Sequence, residues 1–185
     1  MRLPETERFN YEDYLTWDDD IRYELIEGIS YAMSAPSWSH QGISRNILVQ
    51  LANFLKDKPC KVYAAPFDVR LNPNGYDDTV VQPDILVVCD RKKFDKRGSI
   101  KGAPDMVAEI LSPATARMDR FTKLNLYKQY GVREYWIVDP SKKIIETHIL
   151  ENGKYIKSTY TETDTAPVYI LEGCVVTVKD VFEEL

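Results

Sequence analysis

Two mostly apolar runs of this chain are each interrupted by one acidic residue, and this feature constrains the fold more than any other. Asp84 interrupts the run at residues 80–88, and Glu109 interrupts the run at residues 106–111. Runs rich in β-branched and apolar residues predict buried strands. A carboxylate within a buried strand is costly unless it is paired or holds a cation. The pattern therefore predicts neighbouring buried strands that bring two acids together, and it favours a metal site.

The length and composition predict one domain spanning residues 1–185. The chain has 185 residues, and 44% of them are hydrophobic, which is enough for a substantial core. No stretch reaches the roughly 18 to 20 apolar residues of a membrane span, and residues 1–7 lack the apolar core of a signal peptide. We therefore expect a cytoplasmic protein with no membrane partner.

The three cysteines carry no metal-binding pattern. Cys60, Cys89 and Cys174 have neither CxxC spacing nor a neighbouring histidine. We expect all three to be buried, reduced thiols.

The charge is unevenly distributed along the chain. The net charge is −5, which argues against binding nucleic acid through bulk charge. Residues 1–30 carry nine acidic and three basic side chains, whereas residues 91–128 carry ten basic and four acidic ones. The basic segment contains Glu109 and begins soon after Asp84, so it is either a nucleic-acid contact beside these acids or an ordinary solvated face.

Hydrophobic periodicity predicts a mixture of helices and strands in an α/β fold with antiparallel additions. Residues 40–58 place their apolar side chains on one helix face, and a second helix over residues 115–130 is expected to end at Gly131. The other predicted elements are a short helix at 11–17, a hairpin at 22–33, strands near 61–65, 67–71, 133–139 and 175–178, a hairpin turning at 151–154, and a short terminal helix.

The two acids have the donor chemistry of a divalent-cation site. Glu109 follows Asp84 by 25 residues, and adjacent strands would bring the two together. Carboxylate oxygens suit Mg²⁺ or Mn²⁺, and the backbone carbonyl of Ile110 can add a ligand. Lys123, 14 residues after Glu109 on the predicted helix, would approach from the side. Such a lysine can orient the water that attacks a phosphodiester, help to deprotonate it, or offset charge developing on the phosphate.

An ordered set of motifs runs through nearly the whole chain. In order, these are Tyr23-Glu24-Leu25-Ile26-Glu27-Gly28, Ser34-Ala35-Pro36 with His40, Val81-Gln82-Pro83-Asp84, Gly102-Ala103-Pro104-Asp105, Glu109-Ile110-Leu111-Ser112-Pro113, Asp119 with Lys123, Tyr127, Gly131-Val132, and Glu134-Tyr135-Trp136-Ile137-Val138-Asp139-Pro140. The succession resembles the PD-(D/E)xK nuclease superfamily and, more closely, the Uma-two family of restriction-endonuclease-like proteins.

The resemblance implies a restriction-endonuclease-like fold, with a four-stranded mixed β-sheet flanked by helices, to which the extra antiparallel hairpins would be added. It also implies a Mg²⁺-dependent endonuclease that cuts DNA, with Asp84 and Glu109 as metal ligands and a homodimer as the working form. Leu111 stands where the (D/E)xK motif has lysine. The resemblance therefore implies that the lysine has migrated to Lys123, that Glu24 is an added catalytic acid, and that His40 lies near the cleft.

Each of these residues also has a plainer interpretation. For Asp84 it is a hydrogen bond to backbone groups at a strand end, and for Lys123 it is a surface ion pair with Asp119, four residues before it. Glu24 can lie on the solvent side of its hairpin, and Tyr127 is more typical of a core residue than of a base-stacking one. The rival function is a catalytically silent nuclease-like fold that binds nucleic acid or protein.

Overall fold

The computed structural model describes residues 7–183. The helices are α1 (Tyr11–Tyr14), α2 (Trp38–Phe54), α3 (Leu124–Tyr130) and α4 (Val178–Val181), with a 3₁₀-helix at Arg91–Lys93 and a π-helix at Met118–Lys123. The strands are β1 (Tyr23–Ile26), β2 (Ile29–Ala32), β3 (Lys61–Ala64), β4 (Val69–Arg70), β5 (Val80–Val81), β6 (Ile85–Val88), β7 (Ile100–Lys101), β8 (Met106–Ile110), β9 (Glu134–Asp139), β10 (Ile144–Glu151), β11 (Lys154–Tyr160), β12 (Thr165–Pro167) and β13 (Val175–Thr177). Two predictions fall at least partly outside the described residues. These are the bounds of the domain at residues 1 and 185 and the absence of a signal peptide, which concerned residues 1–7.

The strands form two large sheets and one small one. The six-stranded sheet has the order β11-β10-β9-β8-β6-β3, and the five-stranded sheet has the order β2-β1-β5-β4-β7. Both are mixed, because β8 pairs with β9 in parallel and β4 pairs with β7 in parallel, while the other pairs are antiparallel. The predicted α/β class with a mixed sheet is therefore confirmed. This sheet has six strands rather than the expected four, and the β10-β11 hairpin accounts for the two strands beyond β9.

Helix α2 covers one face of the six-stranded sheet. Ser37 caps its first turn by accepting a 3.2 Å hydrogen bond from the His40 backbone N–H. Apolar residues spaced three or four apart then pack into a core with the sheet; these include Ile43, Ile47 and Leu51 of the helix and Leu55 directly after it. Full burial of each such side chain stabilises the fold by about 1.5–3 kcal/mol. The helix begins two residues earlier and ends four residues earlier than predicted.

The opposite face of that sheet packs against α3 and the five-stranded sheet. Leu126 and Tyr127 of α3 share a buried cluster with Val107 of β8 and Val81 of β5. The predicted helix over residues 115–130 is confirmed nearly throughout, because residues 116–130 are continuously helical; within it, residues 118–123 adopt the π-helical pattern and residues 124–130 form α3. It ends at Gly131 as predicted, with φ of 80° and an N–H that bonds back to the Lys128 and Tyr127 carbonyls.

The prediction that all three cysteines are buried, reduced thiols is wrong for Cys60 and Cys89, which are only partly buried and are oxidised. Cys60 and Cys89 form a disulfide with a Cα–Cα distance of 3.9 Å. Antiparallel pairing of Lys61 with Val88 sets these two cysteines opposite each other just beyond β3 and β6. A sequence separation of 29 gives no signal of this contact, because it depends on strand register. Cys174 is free and buried, as predicted.

None of the helices within residues 7–183 has both the length and the apolar character needed to cross a membrane.

Candidate active site

Asp84 lies where the chain passes from one large sheet to the other. Strand β5 belongs to the five-stranded sheet and β6 to the six-stranded one, and Asp84 stands directly before β6. Strand β8 pairs with β6, with Ile85 opposite Ala108, so Glu109 lies beside Asp84. The Asp84 N–H donates to Glu109 Oε2 at 3.3 Å, and the Ile110 N–H donates to Asp84 Oδ2 at 2.8 Å. Neighbouring strands thus bring together the two acids selected from the sequence.

Lys123 joins these acids from the π-helix. Its Nζ lies 2.9 Å from Glu109 Oε1, 2.8 Å from Glu24 Oε1 and 3.8 Å from Asp119 Oδ1. The residue is only 4% exposed. The pair with Asp119 exists, but the alternative of an ordinary surface ion pair is wrong, because both residues are buried and Lys123 contacts two further carboxylates.

Glu24 is buried at the junction between the sheets. Strand β1 is flanked by β2 and β5, and Glu24 accepts hydrogen bonds from Lys123 and, at 2.8 Å, from the Gln82 backbone N–H. Its 5% exposure rules out the solvent-facing position considered above. Glu24 therefore points into the molecule, where it contacts Lys123 of the π-helix and the backbone just after β5.

Two further side chains contact the paired acids. Tyr127 is buried as predicted, but its hydroxyl also donates to Glu109 Oε1 at 2.7 Å. It follows Lys123 by four residues, and that spacing is the sequence signal that could have linked the two. His40, in the first turn of α2, places Nε2 3.1 Å from Asp84 Oδ2, while its Nδ1 is buried with no hydrogen-bond partner in the described part of the chain.

Negative charge exceeds positive charge around Lys123. Burial raises the pKa of the Glu109 carboxyl well above its usual value of 4.5, and the nearby carboxylates of Asp119, Asp84 and Glu24 raise it further, while Lys123 opposes them. Burial also raises the pKa of Asp119. For Lys123, burial lowers the pKa, but Glu109, Glu24 and Asp119 outweigh burial and hold the pKa well above 10.5. Lys123 is therefore a protonated ammonium group shared among acids.

The same carboxylates also affect the pKa of His40. Burial lowers the pKa of His40, but the hydrogen bond to Asp84 and the Asp84 charge outweigh burial, with smaller contributions from the Ile110 carbonyl and Asp119. The net result is a pKa raised above 6.5. A carboxylate-rich environment thus extends from Lys123 to the first turn of α2.

These groups line an open cleft of about 770 Å³. Its wall includes the four carboxylates together with Lys123, Arg22, the first turn of α2 and residues 112–115. Of the two interpretations of the basic segment 91–128, the solvated face agrees better with the structure, because Lys123 is the only basic residue of this segment that lines the cleft. The connection at 91–101 leaves β6 at the end opposite Asp84, and there Arg97 pairs with Glu12.

The family follows from a match that spans most of the chain. Residues 11–179 match the family model Uma2, described as "Putative restriction endonuclease". This chain belongs to the Uma2 family. The Uma2 chain is also similar to two Synechocystis sp. proteins: "Uncharacterized protein slr1290" is 28% identical over 83% of this chain and 80% of that protein, and "Uncharacterized protein sll1609" is 22% identical over 75% and 79%.

A solved structure shares the fold of this Uma2 chain. It is the crystal structure titled "a putative nuclease belonging to DUF820" from Anabaena variabilis, with a TM-score of 0.76 and 18% identity. The similarity covers 94% of this chain and 97% of that one. The Uma2 chain therefore has a nuclease-like fold, and the chemistry of its cleft has to be argued from its own residues.

Proposed function

We propose that this Uma2 chain is a metal-dependent endonuclease that hydrolyses DNA phosphodiester bonds in the cleft containing Asp84 and Glu109. The observation that carries the proposal is the contact between these acids, together with the Lys123 ammonium 2.9 Å from Glu109. The family description and the nuclease-like fold support the same reaction class.

The donors at this point fit Mg²⁺ or Mn²⁺. The proposed ligands are the carboxylates of Asp84 and Glu109 and the backbone carbonyl of Ile110. Within residues 7–183, no group of three or more His, Cys, Asp or Glu side chains is arranged to hold a metal ion. A site with only two carboxylates is still compatible with Mg²⁺, because this ion is commonly held by one or two carboxylates and keeps several waters. Burial contributes most to the raised pKa of Glu109, and the nearby carboxylates of Asp119, Asp84 and Glu24 add to it; a divalent cation would offset the negative charge of these carboxylates.

Bound at these donors, the cation would supply a Lewis acid for the phosphoryl oxygens and a more acidic water as nucleophile. The chain itself supplies Lys123. Because its pKa is raised well above 10.5, we assign Lys123 as a hydrogen-bond donor that stabilises charge developing on the phosphate, rather than as a base for the attacking water.

Glu24 and Tyr127 hold this catalytic pair in place. Glu24 Oε1 accepts from Lys123 and from the Gln82 backbone, so it ties the ammonium to the sheet junction. Tyr127 donates to the same Glu109 oxygen that Lys123 contacts, which leaves Glu109 Oε2 facing the Asp84 backbone. Cutting both strands of a duplex needs two such sites, and we therefore include a homodimer in the proposal.

The test is cleavage of supercoiled plasmid and of single-stranded DNA with Mg²⁺, Mn²⁺ or EDTA. The native protein is compared with Asp84→Asn, Glu109→Ala and the matched control Glu162→Ala, which removes an exposed glutamate of an outer pair with Lys143. Circular dichroism shows whether each variant is folded. We expect metal-dependent cleavage by the native protein and the control, and loss of cleavage in the two site variants. Binding without cleavage by the native protein under every metal would instead support the silent binding module.

A further inference from the structure

We infer that Arg22 binds a phosphate group of the substrate backbone. The inference rests on the proposed function, because it assigns the contact through which the same cleft would hold a phosphodiester. Arg22 directly precedes β1 and lines the cleft together with Asp84, Glu109 and Lys123.

The guanidinium of Arg22 is held by a neutral acceptor. Its Nε and Nη2 both donate to the Gln82 side-chain oxygen Oε1, at 2.9 Å and 2.6 Å. Across residues 7–183, Arg22 forms no ion pair with a carboxylate, and Nη1 donates to no protein atom. The side chain is therefore oriented, yet its positive charge is not neutralised.

Gln82 is itself locked in one orientation. Its side-chain nitrogen Nε2 donates to the Tyr14 hydroxyl at 3.0 Å and to Asp68 Oδ1 at 2.8 Å. Because both amide hydrogens are used in this way, Oε1 is the atom that faces Arg22. The Gln82 backbone N–H also donates to Glu24, which contacts Lys123. One buried residue thus orients Arg22 and supports the Lys123 cluster.

The charges in the cleft explain why Arg22 suits an anion. Lys123 is shared by Glu24, Glu109 and Asp119 and is therefore largely neutralised. Arg22 is the other Lys or Arg side chain on the cleft wall, and it keeps hydrogen-bond donors for a ligand. A guanidinium presents its donors in a planar fork that matches phosphate oxygens, and preorganisation reduces the entropy lost on binding. The ligand class is a phosphodiester, a group common to single-stranded and duplex DNA.

The test measures binding without requiring cleavage. A fluorescein-labelled single-stranded oligonucleotide is titrated by fluorescence anisotropy, with Ca²⁺ and then with EDTA, over a range of KCl concentrations, and a gel confirms that the probe is intact. The proteins are native, Arg22→Ala, Arg22→Lys and the control Arg97→Ala. Arg97 forms an exposed pair with Glu12 outside the cleft. Thermal denaturation confirms that each variant is folded.

We expect Arg22→Ala to weaken binding by about tenfold or more, because a hydrogen-bonded contact to a charged group is lost. The slope of log affinity against log salt should fall by about 0.7, the value for one phosphate contact on a single strand. Arg22→Lys should keep this slope but bind more weakly than native, because a lysine cannot form the paired bonds to Gln82. Arg97→Ala should match the native protein.

The two proposals fail in different ways. If the native protein cleaves DNA while Arg22→Ala keeps native affinity and slope, the phosphate contact is overturned and the nuclease proposal stands. If the native protein binds but cuts nothing, and Arg22→Ala still loses affinity and slope, the phosphate contact stands and the nuclease proposal falls. Failure of the native protein to bind the probe would overturn the contact.

Discussion

Replacement of Lys123 by methionine should destabilise the fold severely. Methionine keeps most of the side-chain volume but removes the ammonium. Three carboxylates, those of Glu24, Glu109 and Asp119, would then lie together with the cation between them gone. Removing one partner of a buried ion pair typically costs about 3–5 kcal/mol, because the remaining charge is left buried and uncompensated.

The expected change is large enough to measure by heat and by urea. In a protein of this size, each kcal/mol lowers Tm by about 2–4 °C, so Lys123→Met should melt about 6–20 °C below the native protein. The matched control is Lys143→Met. Lys143 pairs with Glu162 at 3.3 Å, but both side chains are nearly half exposed, so its loss should change stability by less than about 1 kcal/mol.

A second observation separates charge from packing. If surplus negative charge destabilises Lys123→Met, saturating Mg²⁺ should raise its Tm more than it raises the native Tm, since the cation replaces the missing positive charge. The reasoning is refuted if Lys123→Met melts with the native protein, or if it is destabilised but Mg²⁺ and added salt leave its Tm unchanged.

Three other predictions follow from buried groups. Glu109→Gln removes a carboxyl whose pKa is raised in the folded state. The protonated acid contributes stability below about pH 4.5, and this contribution is lost as pH rises through the folded-state pKa. Denaturation at several pH values should therefore show that the free energy of unfolding of the variant increases relative to that of the native protein over this range. Tyr127→Phe removes a 2.7 Å hydrogen bond to Glu109 and should cost about 1–3 kcal/mol in urea unfolding while lowering the cleavage rate. Reduction of the Cys60–Cys89 bond, which closes a span of 29 residues, should cost about 3–4 kcal/mol by loop-closure entropy, and a thiol reductant should lower the Tm of the native protein and of Cys174→Ser alike.

The local parts of this fold could be predicted from the sequence. The apolar face of α2 and the glycine after α3 are short-range signals, because helix periodicity and left-handed backbone geometry act within a few residues. The meeting of Asp84 and Glu109 was also predictable, since each acid interrupts or adjoins an apolar run and neighbouring strands were the simplest way to bury both.

The remaining parts depend on contacts between distant segments. Glu24 is buried through contacts with Lys123 and Gln82, which lie 99 and 58 residues away in the sequence. Three strands of its sheet, β4, β5 and β7, are each only two residues long, too short for a periodic signal. The Cys60–Cys89 bond follows from strand register, which hydrophobic pattern alone did not specify here. The hydrogen bonds of Gln82 to Arg22 and Asp68 join three segments, and nothing in the polarity of a single glutamine indicates them.

The central claim is that Asp84 and Glu109 hold a catalytic metal ion, and the most direct measurement is Mn²⁺ binding followed by electron paramagnetic resonance of the free ion. The native protein is compared with Asp84→Asn, Glu109→Gln and the control Glu162→Gln, with no DNA present. We predict saturable binding by the native protein and the control, competed by Mg²⁺, and its loss in both site variants. Equal Mn²⁺ binding by all four proteins, or none by the native protein, would contradict the assignment of these two acids as metal ligands.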